Sequence, residues 1–277
     1  ARKAQVAILC VGDNGQTSGE NFDRVSLDLS GNQLDLVKAV YETGTPVVLL
    51  LQSGRPVSCT WEQKHLPAIL QCWFPGEKGG YAMVDTLFGD NNPSGRLPIT
   101  FPAHSGQLPV YYNSLPGWHG GKYMDLPAEP VYAFGEGMGY APFTYANLTF
   151  DPQTFLAAID VTNAGDMAGT EVVQVYMHDV VGSVIRPVKQ LIAFTRVELQ
   201  PGETKTVTFQ LKKEDFQLVN REEKYVVEPG EFEPFIGHSS KRTDLKKLTF
   251  AGNAPNVMPP NVPAGQLSTY IPDAVVY

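Results

Sequence analysis

Between Ser18 and Arg24 the chain places Glu20, Asp23 and Arg24 within five residues, with Gly12, Gly15 and Gly19 just ahead of them or among them. Two carboxylates and a guanidinium, on a backbone that glycine can bend sharply, are groups able to meet a polar ligand. The stretch follows an apolar run, Val6 to Val11, whose unbroken hydrophobicity predicts a buried strand of a parallel sheet. It precedes Ser30-Gly31-Asn32-Gln33, which predicts a helix start with Ser30 as N-cap and Gln33 as its capping-box partner. A loop leaving the carboxyl end of a buried strand is where open α/β sheets hold their ligands. A solvated polar loop has the same composition, so spacing alone leaves both readings open.

The elements that must position this loop follow from the order of the apolar runs. Leu34, Leu36, Val37 and Val40 have helical spacing up to Gly44, and Pro46 to Leu51 is the next strand. Leu66 to Trp73 is a third apolar run, and Gly79 to Phe88 does not alternate, so it predicts a helix. Asp90 to Gly95 is a turn, because Asn and Asp bond back to their own backbone while Pro93 fixes φ. Leu97 to Phe101 predicts a short edge strand, since Pro98 cannot donate to a ladder. Residues 1–115 are therefore the α/β part, with a mostly parallel sheet, and residues 116–130 are a Gly/Pro-rich connection. Trp118, His119 and Tyr123 in that connection are costly to leave in water, which predicts a loop folded over a neighbouring cleft.

From about residue 131 the period changes to two. Ala157, Ile159 and Val161 alternate with polar neighbours, as do Val207, Phe209 and Leu211. Short strands with turns at Asn163-Ala164-Gly165-Asp166 and Gln200-Pro201-Gly202-Glu203 predict a fibronectin type III-like β-sandwich over 131–250. The proline-rich stretch 251–277 predicts an extended tail. The fold class is thus multi-domain, an α/β part with a mostly parallel sheet followed by an all-β domain. At 277 residues the length fits about two domains.

A net charge of −8 argues against nucleic-acid and anionic-membrane partners, and no apolar run reaches the length of a membrane span. Cys10, Cys59 and Cys72 lack metal-ligand spacing and lie in or near apolar runs, which predicts buried thiols rather than disulfides. The five histidines are scattered without i, i+4 spacing, so no metal site is expected. Lone carboxylates such as Asp13 and Asp90 look like turn formers, and Gly12-Asp13-Asn14-Gly15 is not a dinucleotide fingerprint. Asn147-Leu148-Thr149 is a glycosylation sequon, which favours a secreted setting. The start at Ala1, without Met or a secretory leader, predicts a processed product.

Several runs together resemble glycoside hydrolase family 3. Gly19-Glu20-Asn21-Phe22-Asp23-Arg24 with Leu27, Leu29, Gly31 and Gln33 is similar to the family's Glu-Gly-x-Asp-Arg and Leu-x-Leu-Pro-Gly-x-Gln pattern, with Asn21 for Gly and Ser30 for Pro. Trp73-Phe74-Pro75-Gly76, Asn92-Pro93-Ser94-Gly95-Arg96-Leu97-Pro98, Tyr132 to Tyr140 and Arg186-Pro187-Val188-Lys189-Gln190-Leu191 continue the resemblance over about residues 1–250.

The resemblance implies that residues 1–115 are the C-terminal part of an α/β sandwich domain, hence a partial α/β sandwich. It implies part of an exo-acting, retaining β-glycosidase that releases a sugar, β-glucosidase fashion, from the non-reducing end of an oligosaccharide. No cofactor is implied. Retaining enzymes use two carboxyl groups roughly 5–5.5 Å apart, one as nucleophile and one as acid then base. In the family the nucleophile belongs to a barrel that precedes this region, so a barrel-bearing N-terminal chain or segment is the implied partner, and a homodimer is compatible. Glu20 takes the acid/base position, Asp23 and Arg24 support the loop, and Trp118 and His119 are candidates to line a sugar subsite or to pack between domains. A general acid must stay protonated near neutral pH, which needs burial or a neighbouring carboxylate. A β-xylosidase or a xyloglucan-oligosaccharide enzyme of the same family is the alternative. A non-catalytic carbohydrate-binding or subunit-bridging chain is the rival class, because the chain carries a β-sandwich and no nucleophile.

Overall fold

A computed structural model describes residues 1–117, 123–247 and 250–252. Two compact units divide the chain. The first holds Ala1–Asn91, Ile99–Val110 and Leu126–Tyr132, and the second holds Asn92–Pro98, Tyr111–Asp125 and the chain from Ala133 onward.

In the first unit the three apolar runs become parallel strands β1 (Ala7–Gly12), β2 (Val47–Gln52) and β3 (Ala68–Gln71), hydrogen-bonded in that order. Ala7 lies opposite Val47 and Gly12 opposite Gln52, so the carboxyl ends of β1 and β2 coincide. Parallel neighbours require crossovers, and α1 (Gln33–Tyr41) and α2 (Thr60–His65) fall within them. Val11, Val37, Val47, Leu49, Leu51, Val57 and Leu66 form one core with Leu29. Each such side chain stabilises the fold by about 1.5–3 kcal/mol when fully buried. The helix α3 (Gly79–Phe88) spans the predicted residues and stops at Gly89, whose φ of 87° ends the helix in a left-handed cap.

Four expectations need correcting. β1 is not buried on both faces, since Ile8 is 42% exposed and Cys10 is exposed. The three cysteines are free, and only Cys59 is fully buried. Burial, with Glu62 nearby, pushes the Cys59 thiol up to about 12. The capping box is absent: α1 starts at Gln33 after Asn32, and the Gln33 amide turns back to the end of β1. Residues 97–101 form no strand. Leu97 exchanges hydrogen bonds with Gly135 and Glu136, while Phe101 makes an isolated bridge to Tyr132, because Pro98 and Pro102 interrupt any ladder. α2 is an addition, too short at six residues to show a helical period.

The second unit is a β-sandwich. One sheet runs β4 (Phe143–Asp151), β5 (Leu156–Asn163), β8 (Thr204–Gln210). The other runs β12 (Leu245–Lys247), β11 (Gly230–Gly237), β6 (Gly169–Asp179), β7 (Gln190–Leu199), with β13 (Phe250–Gly252) also on β11. A two-stranded ribbon, β9 (Leu218–Val219) with β10 (Tyr225–Val226), completes it. Ala157, Ile159 and Val161 of β5 and Val207 and Phe209 of β8 meet Val173, Val175 and Met177 of β6 in one core, as their alternation predicts. The other face of β6 is also covered. Tyr176 is fully buried under Tyr112, and Gln174 donates to the carbonyls of Gly135 and His238. Arg96 pairs with buried Glu171 at 2.8 Å, and Asn92 donates to the carbonyl of Ala168, so the 92–98 turn is folded onto this unit.

Candidate active site

The Glu20 loop starts where β1 and β2 end together. Gly12 has a φ of 133°, and a Cβ there would lie 2.0 Å from the carbonyl oxygen of Gln52, so glycine alone fits. The same backbone meets the Gln33 side chain, which accepts from Gly12 N–H at 2.6 Å and donates to its carbonyl at 2.9 Å. Gln33 also donates to Ser30 Oγ at 3.0 Å. Helix α1 is thereby tied to the strand end from which the loop departs.

The next residue, Asp13, is the hub. Its side chain is 2% exposed. One oxygen accepts from Thr17 Oγ1 at 3.0 Å and faces Arg24 at 3.3 Å, and the other accepts from Ser53 Oγ at 2.7 Å and from Arg55 at 3.0 Å. Burial alone pushes this carboxyl up, but the hydroxyls of Ser53 and Thr17 and the Arg55 guanidinium outweigh it and hold it below the ordinary 3.8. Asp13 is therefore more than the turn former its sequence context predicts. Arg55 continues outward, donating to the carbonyls of Thr17 at 3.0 Å and Phe22 at 2.8 Å. Arg24 donates to the carbonyl of Asp28 at 2.7 Å.

Between these anchors the backbone reverses at Gly19 (φ 148°) and Asn21 (φ 65°), with Phe22 N–H bonded to Gly19 O at 3.2 Å. Asn21 stands where the related pattern has Gly, and it occupies the left-handed region that Gly favours and Asn tolerates. Glu20 sits in this turn, exposed, and makes no hydrogen bond or ion pair among the described residues. Asp23 is likewise exposed and unpaired there, whereas Arg24 joins the Asp13 cluster. The structure thus gathers Glu20 and Arg24 around one braced loop and leaves Asp23 outside the bonding network.

Trp118 and His119 lie outside the described residues. Asn147 is exposed at a bulge of β4 with a φ of 52°, and its amide donates to Asp160 at 2.8 Å. Among the described residues, no group of three or more His, Cys, Asp or Glu could hold a metal ion, and no helix is long and apolar enough to cross a membrane.

Ser53 and Arg55, which the sequence reading missed, are signalled by register. Ser53-Gly54-Arg55 follows β2 just as Asp13 follows β1, and parallel neighbours bring the two ends together.

Comparison with known proteins agrees with this layout. Residues 1–140 match the glycosyl hydrolase family 3 C-terminal domain, and residues 171–240 match the fibronectin type III-like domain. The chain is 40% identical to a periplasmic beta-glucosidase of Salmonella typhimurium, over 87% of this chain and 34% of that protein. It is also 40% identical to a beta-xylosidase of Formosa agariphila, over 90% of this chain and 36% of that one. The solved structure of a beta-glucosidase from Listeria innocua in complex with glucose superposes with a TM-score of 0.83 at 37% identity, covering 89% of this chain and 36% of that one. The chain spans about a third of the length of these relatives. With its α/β unit followed by a fibronectin type III-like sandwich, the chain belongs to glycosyl hydrolase family 3.

Proposed function

We propose that this chain is part of an exo-acting, retaining β-glycosidase of the β-glucosidase type, and that Glu20 is its general acid and base. The observation that carries this reading is the Glu20 loop: a carboxylate at an exposed turn, without a partner among the described residues, on a backbone braced by the Asp13 cluster. A group held in that way is placed to serve a substrate outside the chain, and loops on rigid scaffolds commonly carry such groups.

In the first step a carboxylate of the barrel would attack the anomeric carbon as the glycosidic C–O bond breaks. Glu20 would give its proton to the departing oxygen. In the second step Glu20, now a carboxylate, would take a proton from water while the water oxygen attacks the same carbon and releases the barrel carboxylate. Arg24 would steady the loop through Asp13 and the Asp28 carbonyl. Trp118 and His119 would line the sugar site, and Asp23 would support the loop in the assembled enzyme.

The sugar is proposed as glucose, released from an oligosaccharide outside the cytoplasm. A β-xylosidase is the second reading, since the relative of that name is as similar as the beta-glucosidase, at 40% identity each. Replacement of Glu20 in the complete enzyme tests the assignment. Glu20→Ala is expected to slow hydrolysis of alkyl glycosides about 100-fold or more, to spare dinitrophenyl glycosides far better, and to recover turnover with azide. Near-normal rates on alkyl glycosides would remove Glu20 from the role.

A further inference from the structure

We infer that Arg55 is a positioning residue for the acid/base carboxyl, clamping both sides of the turn that carries Glu20; the inference rests on the acid/base reading of Glu20. The guanidinium leaves the carboxyl end of β2 and reaches two carbonyls, Thr17 O at 3.0 Å and Phe22 O at 2.8 Å, three residues before Glu20 and two after it. These are the two sides of the reversal at Gly19 and Asn21. A single planar group therefore fixes the width of the turn from beneath.

The clamp is itself held. Arg55 Nη1 meets Asp13 Oδ2 at 3.0 Å, Asp13 accepts from Ser53 at 2.7 Å, and the Ser53 hydroxyl also accepts from Arg55 N–H at 3.0 Å. The rigid β1–β2 strand ends are thus linked to the turn through one side chain. The fork geometry matters. An arginine presents several donors in fixed directions, whereas a lysine is a point charge that can serve Asp13 or one carbonyl but cannot span both. Arg24, the other cation on Asp13, reaches toward Asp28 on the far side of the loop and does not bridge the turn.

Position counts because proton donation needs hydrogen-bond reach to the leaving oxygen, and a misplacement of about 1 Å can cost roughly 100-fold. The cost should fall selectively. A leaving group of low basicity departs without a proton, so in kcat/KM, which reports the first step alone, a misplaced acid slows only substrates with basic leaving groups. A general loss of fold would lower all substrates together.

The test uses the complete enzyme and a series of aryl and alkyl β-glucosides of graded leaving-group basicity, with Glu20→Ala, Arg55→Ala and Arg55→Lys compared. Arg55→Ala is expected to lower kcat/KM about 10- to 100-fold on alkyl glucosides and less than about threefold on dinitrophenyl glucoside, where kcat and KM should fall together because the second step also needs the carboxyl. Added ethylguanidinium should restore part of the lost rate. Arg55→Lys should show the same selectivity at smaller size, and it carries the test if the alanine variant does not fold. Azide should rescue Glu20→Ala but hardly Arg55→Ala, which keeps its carboxylate to repel the anion. A loss spread evenly over the series, or no loss, while Glu20→Ala stays selective, overturns the positioning role alone. An unselective Glu20→Ala overturns the acid/base reading, and the clamp proposal falls with it.

Discussion

Asp13 ends β1 with a carboxylate that water hardly reaches, and Arg24 and Arg55 share it. Removing the charge takes from two partly buried guanidiniums the counter-ion they share. Asp13→Asn is therefore expected to cost about 2–3 kcal/mol, seen as a lower midpoint in urea unfolding. The pH dependence has a defined sign. Burial opposes ionisation of Asp13, but the Ser53 and Thr17 hydroxyls and Arg55 prevail, so its pKa in the fold is depressed below 3.8. A depressed carboxyl contributes stability that is present above its unfolded pKa and is lost as pH falls through the folded value. The gap between the two proteins should be full near neutrality and should close below pH 3.8. A gap that persists unchanged at pH 2 would show that packing, not charge, sets the cost. None of this was legible residue by residue. Asp13 beside Asn14 and Gly15 has the composition of a turn, and its partners Ser53 and Arg55 lie about 40 positions away.

The parallel pairing of β1 with β2 makes those distant partners neighbours, and it depends on one glycine. Gly12→Ala would put a Cβ 2.0 Å from Gln52 O at a φ of 133°, with backbone rather than a flexible side chain in the way. The strand ends must part, so a loss of about 3 kcal/mol or more is expected, along with release of the Gln33 tether. Amide exchange should report it, with β1 and the start of α1 losing protection while β5 to β8 keep theirs. Protection retained across β1 would refute this. The same elements explain what the sequence disclosed. The helical spacing of Leu34, Leu36, Val37 and Val40 and the alternation of Ala157, Ile159 and Val161 mark elements that form as read, although Val37 and Val40 pack in the core while Leu36 is exposed. The exact start of α1 did not show, because Gln33 is engaged by Gly12, 21 positions earlier. A side chain that serves tertiary structure looks the same in a sequence as one that serves a local cap.

At the scale of the whole chain, the second unit does not begin where the alternation of its strands begins. Asn92–Pro98 and Tyr111–Asp125 belong to it although they precede its first strand. Arg96 supplies the partner of Glu171, a carboxylate 3% exposed in the side chain, and Tyr112 lies against fully buried Tyr176. A fragment of residues 131–252, cut at the period change, would leave a buried carboxylate without its cation and open one face of β6. A fragment of residues 92–252 would keep both. Stranding a buried ion costs about 3–5 kcal/mol, and each kcal/mol moves the melting temperature of a domain this size by roughly 2–4 °C. The longer fragment is therefore expected to melt at least about 6 °C higher. Arg96→Met in the longer fragment separates the two causes. It should reproduce most of the shorter fragment's deficit if the stranded Glu171 dominates and little of it if the uncovered Tyr176 face does. Equal melting temperatures for the two fragments would mean that the sandwich is complete from residue 131, and that Arg96 and Tyr112 merely rest on it.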